Sequence, residues 1–185
     1  MTINKNISAD DIINFWFKEI TPKQWWVKDL DFDKLIKSRF LEIYKSAAQG
    51  ELVNWRNQAM SSLAEIIILD QFPRNMFRDS AQAFATDPLA VCLTQVAVDK
   101  GFDQKLEPTM RAFLYMPLMH SESIEILKSA ELLFSAPGME SNYDFEIKHK
   151  KIIDQFGRYP HRNNILGRPS SEDEIEFLKE PNSSF

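Results

Sequence analysis

The sequence predicts an all-α fold, a single domain over residues 1–185, and three observations carry that expectation. Apolar residues recur every three or four positions along most of the chain, the spacing that lines them up on one face of a helix. No Asn-Gly, Asp-Gly or Gly-Gly pair occurs, so the turn chemistry of tight β-hairpins is missing. The 9 prolines and 5 glycines fall largely between the apolar stripes, where they start or stop helices.

About eight helices follow in order. Ile12, Phe15, Trp16 and Ile20 form the first stripe, closed by Thr21 and Pro22. Asp31 is a candidate cap for the second, whose Phe32, Ile36, Phe40, Ile43 and Ala47 run to Gly50 at a C′ position. Met60, Leu63, Ala64, Ile67 and Ile68 mark the third; Pro73 disfavours the α conformation at Phe72 and predicts an end near Gln71. Asp87 and Pro88 read as a cap followed by a first-turn proline, ahead of Leu89, Leu93, Val96 and Ala97 and a stop at Gly101. Glu107 and Pro108 open a fifth helix with Met110, Phe113 and Leu114, which Pro117 ends or kinks. Ser121 or Ser123 caps a sixth carrying Leu127, Ala130, Leu133 and Phe134 up to Pro137 and Gly138. Phe145, His149, Ile152, Ile153 and Phe156 make the seventh, stopped by Gly157. Ser171 and Glu174 form a capping box for a short last helix through Leu178.

Composition then narrows the function classes. Acidic residues number 27 against 22 basic ones, a net charge of -5 that offers no general field to a polyphosphate backbone. Nucleic acid is therefore not an expected partner. The opening MTINKNISADD lacks an apolar leader segment, and the longest apolar run, residues 112–119, falls far short of the ~20 residues of a membrane span. The single Cys92 can close no intramolecular disulfide and build no thiolate zinc site, which points to a reducing, cytoplasmic setting. Its helical, apolar surroundings read as those of a buried small hydrophobe.

Arginine placement carries the functional signal. Six of the eight arginines, Arg74, Arg78, Arg111, Arg158, Arg162 and Arg168, fall in three lysine-free segments, residues 70–90, 108–122 and 157–170. Arginine's planar fork holds carboxylates and phosphates bidentately and tolerates partial burial, which lysine's hydrated point charge does not. The same segments hold Asp70, Asp79, Asp87, Glu122, His120 and His161.

The strings INFWF (13–17), ILDQFPRNMFR (68–78), AFATDPLA (83–90), RAFLYMPLMHSES (111–123) and FGRYPHRNNILGR (156–168) resemble the bacterial family known as domain of unknown function 924, nearly end to end. The resemblance implies an all-helical fold similar to tetratricopeptide-like superhelices, and no particular activity. Its shared positions correspond to Asp70, Gln71, Arg74, Asn75, His120, Ser121, Glu122, Arg158, Pro160, His161, Arg162 and Asn163, with Tyr159 where phenylalanine is usual.

From the residues themselves, His120, Glu122 and His161 are the candidate acid–base groups, because an imidazole beside a carboxylate can move a proton near neutral pH. Asp70, Arg74, Arg158, Arg162 and Asn163 are the candidate ligand-binding groups, with donors suited to an anion. Asp70, Arg74, His120, Glu122, Arg158, His161 and Arg162 are expected around one partly open cleft that takes a small anionic or carbonyl-bearing molecule. His149, within an apolar stripe, reads as a core histidine. Neither paired cysteines nor an HExxH spacing occurs, so no metal site is expected, and no cofactor or oligomeric state is specified. Two other readings compete: a helical-repeat module that binds a protein or peptide partner, and a buried polar frame that fixes the fold without a ligand.

Overall fold

A computed structural model of the chain describes residues 7–181 and 183; the first six residues of the opening segment lie outside them. Ser8 and Asp11 cap each other's backbone and start α1 (Ala9–Asn14), which continues as a π turn, Phe15–Glu19. A 3-10 turn at Pro22–Trp25 leads to α2 (Leu30–Ala48). Its cap is Asp29, two residues before the expected Asp31, because the Asp29 carboxylate accepts from the Asp31 and Phe32 amides at 2.9 and 3.2 Å. Phe32, Ile36, Phe40, Tyr44 and Ala47 form its buried stripe, and Gly50 follows at φ 77°.

The third helix, α3 (Ala59–Met76), is buried on every side from Ser62 to Pro73 and packs against α1, α2 and two later helices, making it the hub of the fold. It does not stop at Gln71. Pro73 removes the amide that pairs with the Leu69 carbonyl, and the Thr86 hydroxyl takes over that carbonyl at 2.6 Å, so the helix runs one more turn. Around it Phe15, Phe40, Phe72 and Trp16 pack tilted and edge-on in one aromatic cluster, with Phe40 4.9 Å and Trp16 5.6 Å from Phe72. Truncating Phe72 to alanine removes a ring that touches the other three, a change that costs ~3–5 kcal/mol in such cores.

Next, α4 (Asp87–Asp99) lays the small residues Ala90, Thr94 and Ala97 against α3 and α5 (Pro108–Met119); the expected face of larger residues is only partly buried, and Val96 is exposed. Cys92, also on α4, is exposed and not buried as expected. Pro117 lies inside α5, with the neighbouring Leu114 carbonyl held by the Thr94 hydroxyl at 2.9 Å. Then α6 (Ile124–Phe134) and α7 (Glu140–Phe156) pack together, and α7 buries Glu146 where the sequence stripe had pointed to Phe145, which is exposed. Gly157 ends α7 at φ 68°, and the capping box of Ser171 and Glu174 opens α8 (Glu172–Phe177) as expected. Eight α-helices and no strand occur among the described residues. Within those residues no helix is long and apolar enough to cross a membrane.

Candidate functional site

The extra turn of α3 decides where the site's first two side chains go. It places Asp70 and Arg74 four residues apart on one helical face, with Arg74 Nη1 3.3 Å from Asp70 Oδ1. His120 caps the C-terminal end of α5 and turns Nδ1 to the same Asp70 oxygen at 2.8 Å, while the other oxygen accepts from Gln71 at 2.6 Å. Asp70 is fully buried; burial pushes its pKa up, but Arg74 and His120 outweigh burial and hold the carboxyl below its usual range. A charged carboxylate only accepts, so Nδ1 of His120 carries the proton and Nε2 carries the lone pair. Burial and Arg74 lower the His120 pKa against the pull of Asp70, which keeps the ring neutral near pH 7.

Asp87 was expected to cap α4, yet its carboxylate makes no cap hydrogen bond. It takes Arg74 bidentately, at 3.0 Å through each oxygen, and Arg162 at a longer 3.4 Å. Arg162 arrives from the 3-10 turn Pro160–Arg162 and donates Nη2 to the His120 carbonyl at 3.0 Å. The rings of Phe84 and Tyr159 each lie 4.6 Å from its guanidinium carbon. Burial, then Arg74, lowers the pKa of Arg162. Tyr159, whose hydroxyl donates to the Met119 carbonyl at 2.6 Å, connects this cluster to His149 and His161, both 5.7 Å away ring to ring. Burial pushes the pKa of His149 down to about 3 and that of His161 to about 4. His149 donates Nδ1 to the Phe145 carbonyl at 2.8 Å, as a core histidine does.

Two buried nitrogens in this cluster have no hydrogen-bond partner, Arg162 Nε and His161 Nδ1. Solvent reaches the cluster along Arg74 and His120, whose side chains keep 22% and 16% of their surface exposed.

The remaining candidates are held in ion pairs and hydrogen bonds of their own, next to the cluster, with Glu122 close enough to act on the charges of His161 and Arg162. Glu122 grips Arg168 through both oxygens at 2.6 and 2.9 Å and accepts the Tyr159 amide at 2.8 Å. Arg158 pairs bidentately with Glu174 at 2.6 and 2.8 Å and also donates to the Pro169 carbonyl at 2.9 Å. Asn163 joins Ser170 to Arg168, each at 3.0 Å. These contacts fold residues 157–174 into a hook over the end of α7. An open recess of about 400 Å³ between Phe156, Arg158, Asp173 and Glu174 belongs to the hook and not to the arginine–histidine cluster.

Sequence reasoning missed Asp87 and Tyr159 as members of the cluster. Asp87 stood in a lysine-free, arginine-bearing segment, but its position before Pro88 read more simply as a cap. Among the described residues no group of three or more His, Cys, Asp or Glu side chains is arranged to hold a metal ion.

No curated protein matches the chain. Its fold is similar to that of a solved structure of a protein of unknown function from Agrobacterium tumefaciens, with 39% identity, coverage of 94% of this chain and 97% of that one, and a TM-score of 0.86. The model of the family described as bacterial protein of unknown function (DUF924) matches residues 12–182, a stretch that contains both the cluster and the hook, and the chain belongs to that family.

Proposed function

We propose that this chain is a cytoplasmic protein that binds a small anionic or carbonyl-bearing molecule at Asp70, Arg74, His120, His161 and Arg162, and that His120 exchanges a proton with it. The observation that carries the reading is the His120–Asp70 pair. A buried carboxylate fixes the tautomer of an imidazole at 2.8 Å and turns the lone pair of Nε2 away from itself, beside two guanidiniums. When Nε2 takes a proton from a ligand, Asp70 stabilises the imidazolium that forms, and Arg74 and Arg162 stabilise negative charge left on the ligand. Glu122, Arg158 and Asn163 are engaged with Arg168, Glu174 and Ser170 in the hook, and the reading assigns the proton exchange to His120 instead. The lone, exposed Cys92 fits a reducing compartment.

The test is solvent-deuterium exchange into a panel of small carboxylic acids and carbonyl compounds, followed by NMR. Exchange that falls by ~100-fold or more in His120→Gln and persists in Arg158→Gln supports the reading. An unchanged rate in His120→Gln, or no exchange across the panel, sinks it.

A tetratricopeptide-like module that binds a peptide is the second reading, and its candidate anchors are the exposed Trp26, Leu132 and Phe145. Substituting these three side chains then abolishes capture of a partner while Arg162→Lys leaves it intact; loss of capture in Arg162→Lys instead returns the weight to the cluster.

A further inference from the structure

The two unpartnered nitrogens of the cluster belong to neighbouring residues of one 3-10 turn, His161 and Arg162. Folded proteins leave few buried polar nitrogens unpaired, so two of them on consecutive residues, whose guanidinium and imidazole both lie against the Tyr159 ring, mark a place that something completes. We infer that the group received there is the carboxylate of a small monocarboxylic acid, held by Arg162 Nε–H and His161 Nδ1–H; the inference rests on the ligand-binding reading above.

Charge comes first. Arg74 and Arg162 are already balanced by Asp70 and Asp87, so the cluster is neutral before any ligand arrives. A monoanion is tolerable in that setting because Arg162 holds Asp87 only at 3.4 Å and has an N–H to spare. A phosphate dianion brings twice the charge to the same single guanidinium N–H.

Donor number and shape point the same way. One guanidinium N–H and one imidazole N–H match the two oxygens of a carboxylate, whereas a tetrahedral phosphate is normally met by more donors, among them backbone amides at a helix start. Here the neighbours are the rings of Phe84 and Tyr159, which suit the flat carboxylate and an apolar carbon next to it.

The experiment is an NMR titration of the full chain at pH 7, reading the Arg162 Nε–H and His161 ring signals while acetate, propionate or inorganic phosphate is added. Saturable shifts of both signals with acetate and propionate, weakened at least about tenfold in Arg162→Lys and in His161→Phe, are the expected result. Arg162→Lys keeps the charge, and His161→Phe retains a ring of similar shape, so a dispersed spectrum of either variant is enough for the comparison. Phosphate shifting the same signals as tightly as acetate overturns the carboxylate assignment and leaves the anion-binding reading standing. No response to any of the three anions overturns the carboxylate inference, while the proton-exchange reading still turns on the deuterium test. Carboxylate binding that survives both substitutions places the ligand elsewhere and overturns the inference.

Discussion

The hook and the cluster are built from the same residue types and share Tyr159, yet they are finished to different degrees. In the hook each carboxylate has its own arginine: Glu122 with Arg168, and Glu174 with Arg158, both bidentate, with the spare donors used on backbone carbonyls. In the cluster two arginines share Asp87, one of them at 3.4 Å, and two buried nitrogens are left over. A closed set of pairs holds a segment in place. An open set costs stability, and its natural use is to leave donors ready for something else.

Breaking that contrast at its centre has the largest expected effect. Asp87→Ala leaves Arg74 and Arg162 buried beside each other with Asp70 as the remaining carboxylate, and urea denaturation should show a loss of ~3–5 kcal/mol. The part-exposed pair of Glu122 and Arg168 should cost only about 1 kcal/mol when broken by Glu122→Gln.

The pH profile separates the two regions next. Unfolded histidines bind a proton near 6.5, whereas His149 and His161 do so only near about 3 and about 4 when folded. The unfolded chain therefore holds more protons in that window, and stability falls as pH drops below about 6.5. Glu146 acts in the opposite sense. Its buried carboxyl has no hydrogen-bond partner, and burial, with Glu131 adding to it, raises its pKa to about 8 from 4.5. Its contribution is complete below pH 4.5 and is lost as pH rises to about 8. Stability should peak near pH 6.5, and Glu146→Gln should remove the decline above it, a gain of ~2 kcal/mol at pH 8 in urea melts. The lowered carboxyls of the hook, Glu122 and Glu174, lose their contribution only at more acidic pH.

Gly157 lies at the joint between α7 and the hook at φ 68°, with nothing within 4 Å of the position a Cβ takes, so Gly157→Ala tests backbone strain alone. A loss of about 1 kcal/mol is expected in thermal melts, and a value near zero would mean that the hook does not depend on this cap. The smallest effect sharpens the contrast most. Arg162→Met should lose no more than about 1 kcal/mol, because Arg74 still holds Asp87 through both oxygens, although one carboxylate charge is left unbalanced and the His120 carbonyl loses its donor. Arg158→Met, which strands the buried Glu174, should lose stability in the same assay.

Local signals in the sequence were enough for the helices whose ends are local. The Gly157 stop and the Ser171 box each need only a few neighbouring residues, and both appear as read. Pro73 misled because its rescue comes from Thr86, on a separate stretch of chain beyond the helix. Asp87 misled for the same reason: its partners, Arg74 and Arg162, are 13 and 75 positions away. The three lysine-free segments did reveal that arginine was concentrated. Which arginine met which carboxylate, and hence the division into cluster and hook, was set by packing that no local pattern encodes.

The Thr86 hydroxyl also imposes an order in time. As the chain is synthesised, the last turn of α3 leaves the ribosome with the Leu69 carbonyl unpaired, and Thr86 follows 17 positions behind that carbonyl. At ~5–20 residues per second that interval is on the order of one to a few seconds, far longer than a helix needs to form. Until the loop closes, the turn that carries Arg74 lacks the bond that offsets its proline, so the helix is completed from outside and late. Asp70 and Arg74 acquire their final spacing only when that closure occurs, so the cluster cannot begin to form before the chain has reached Thr86.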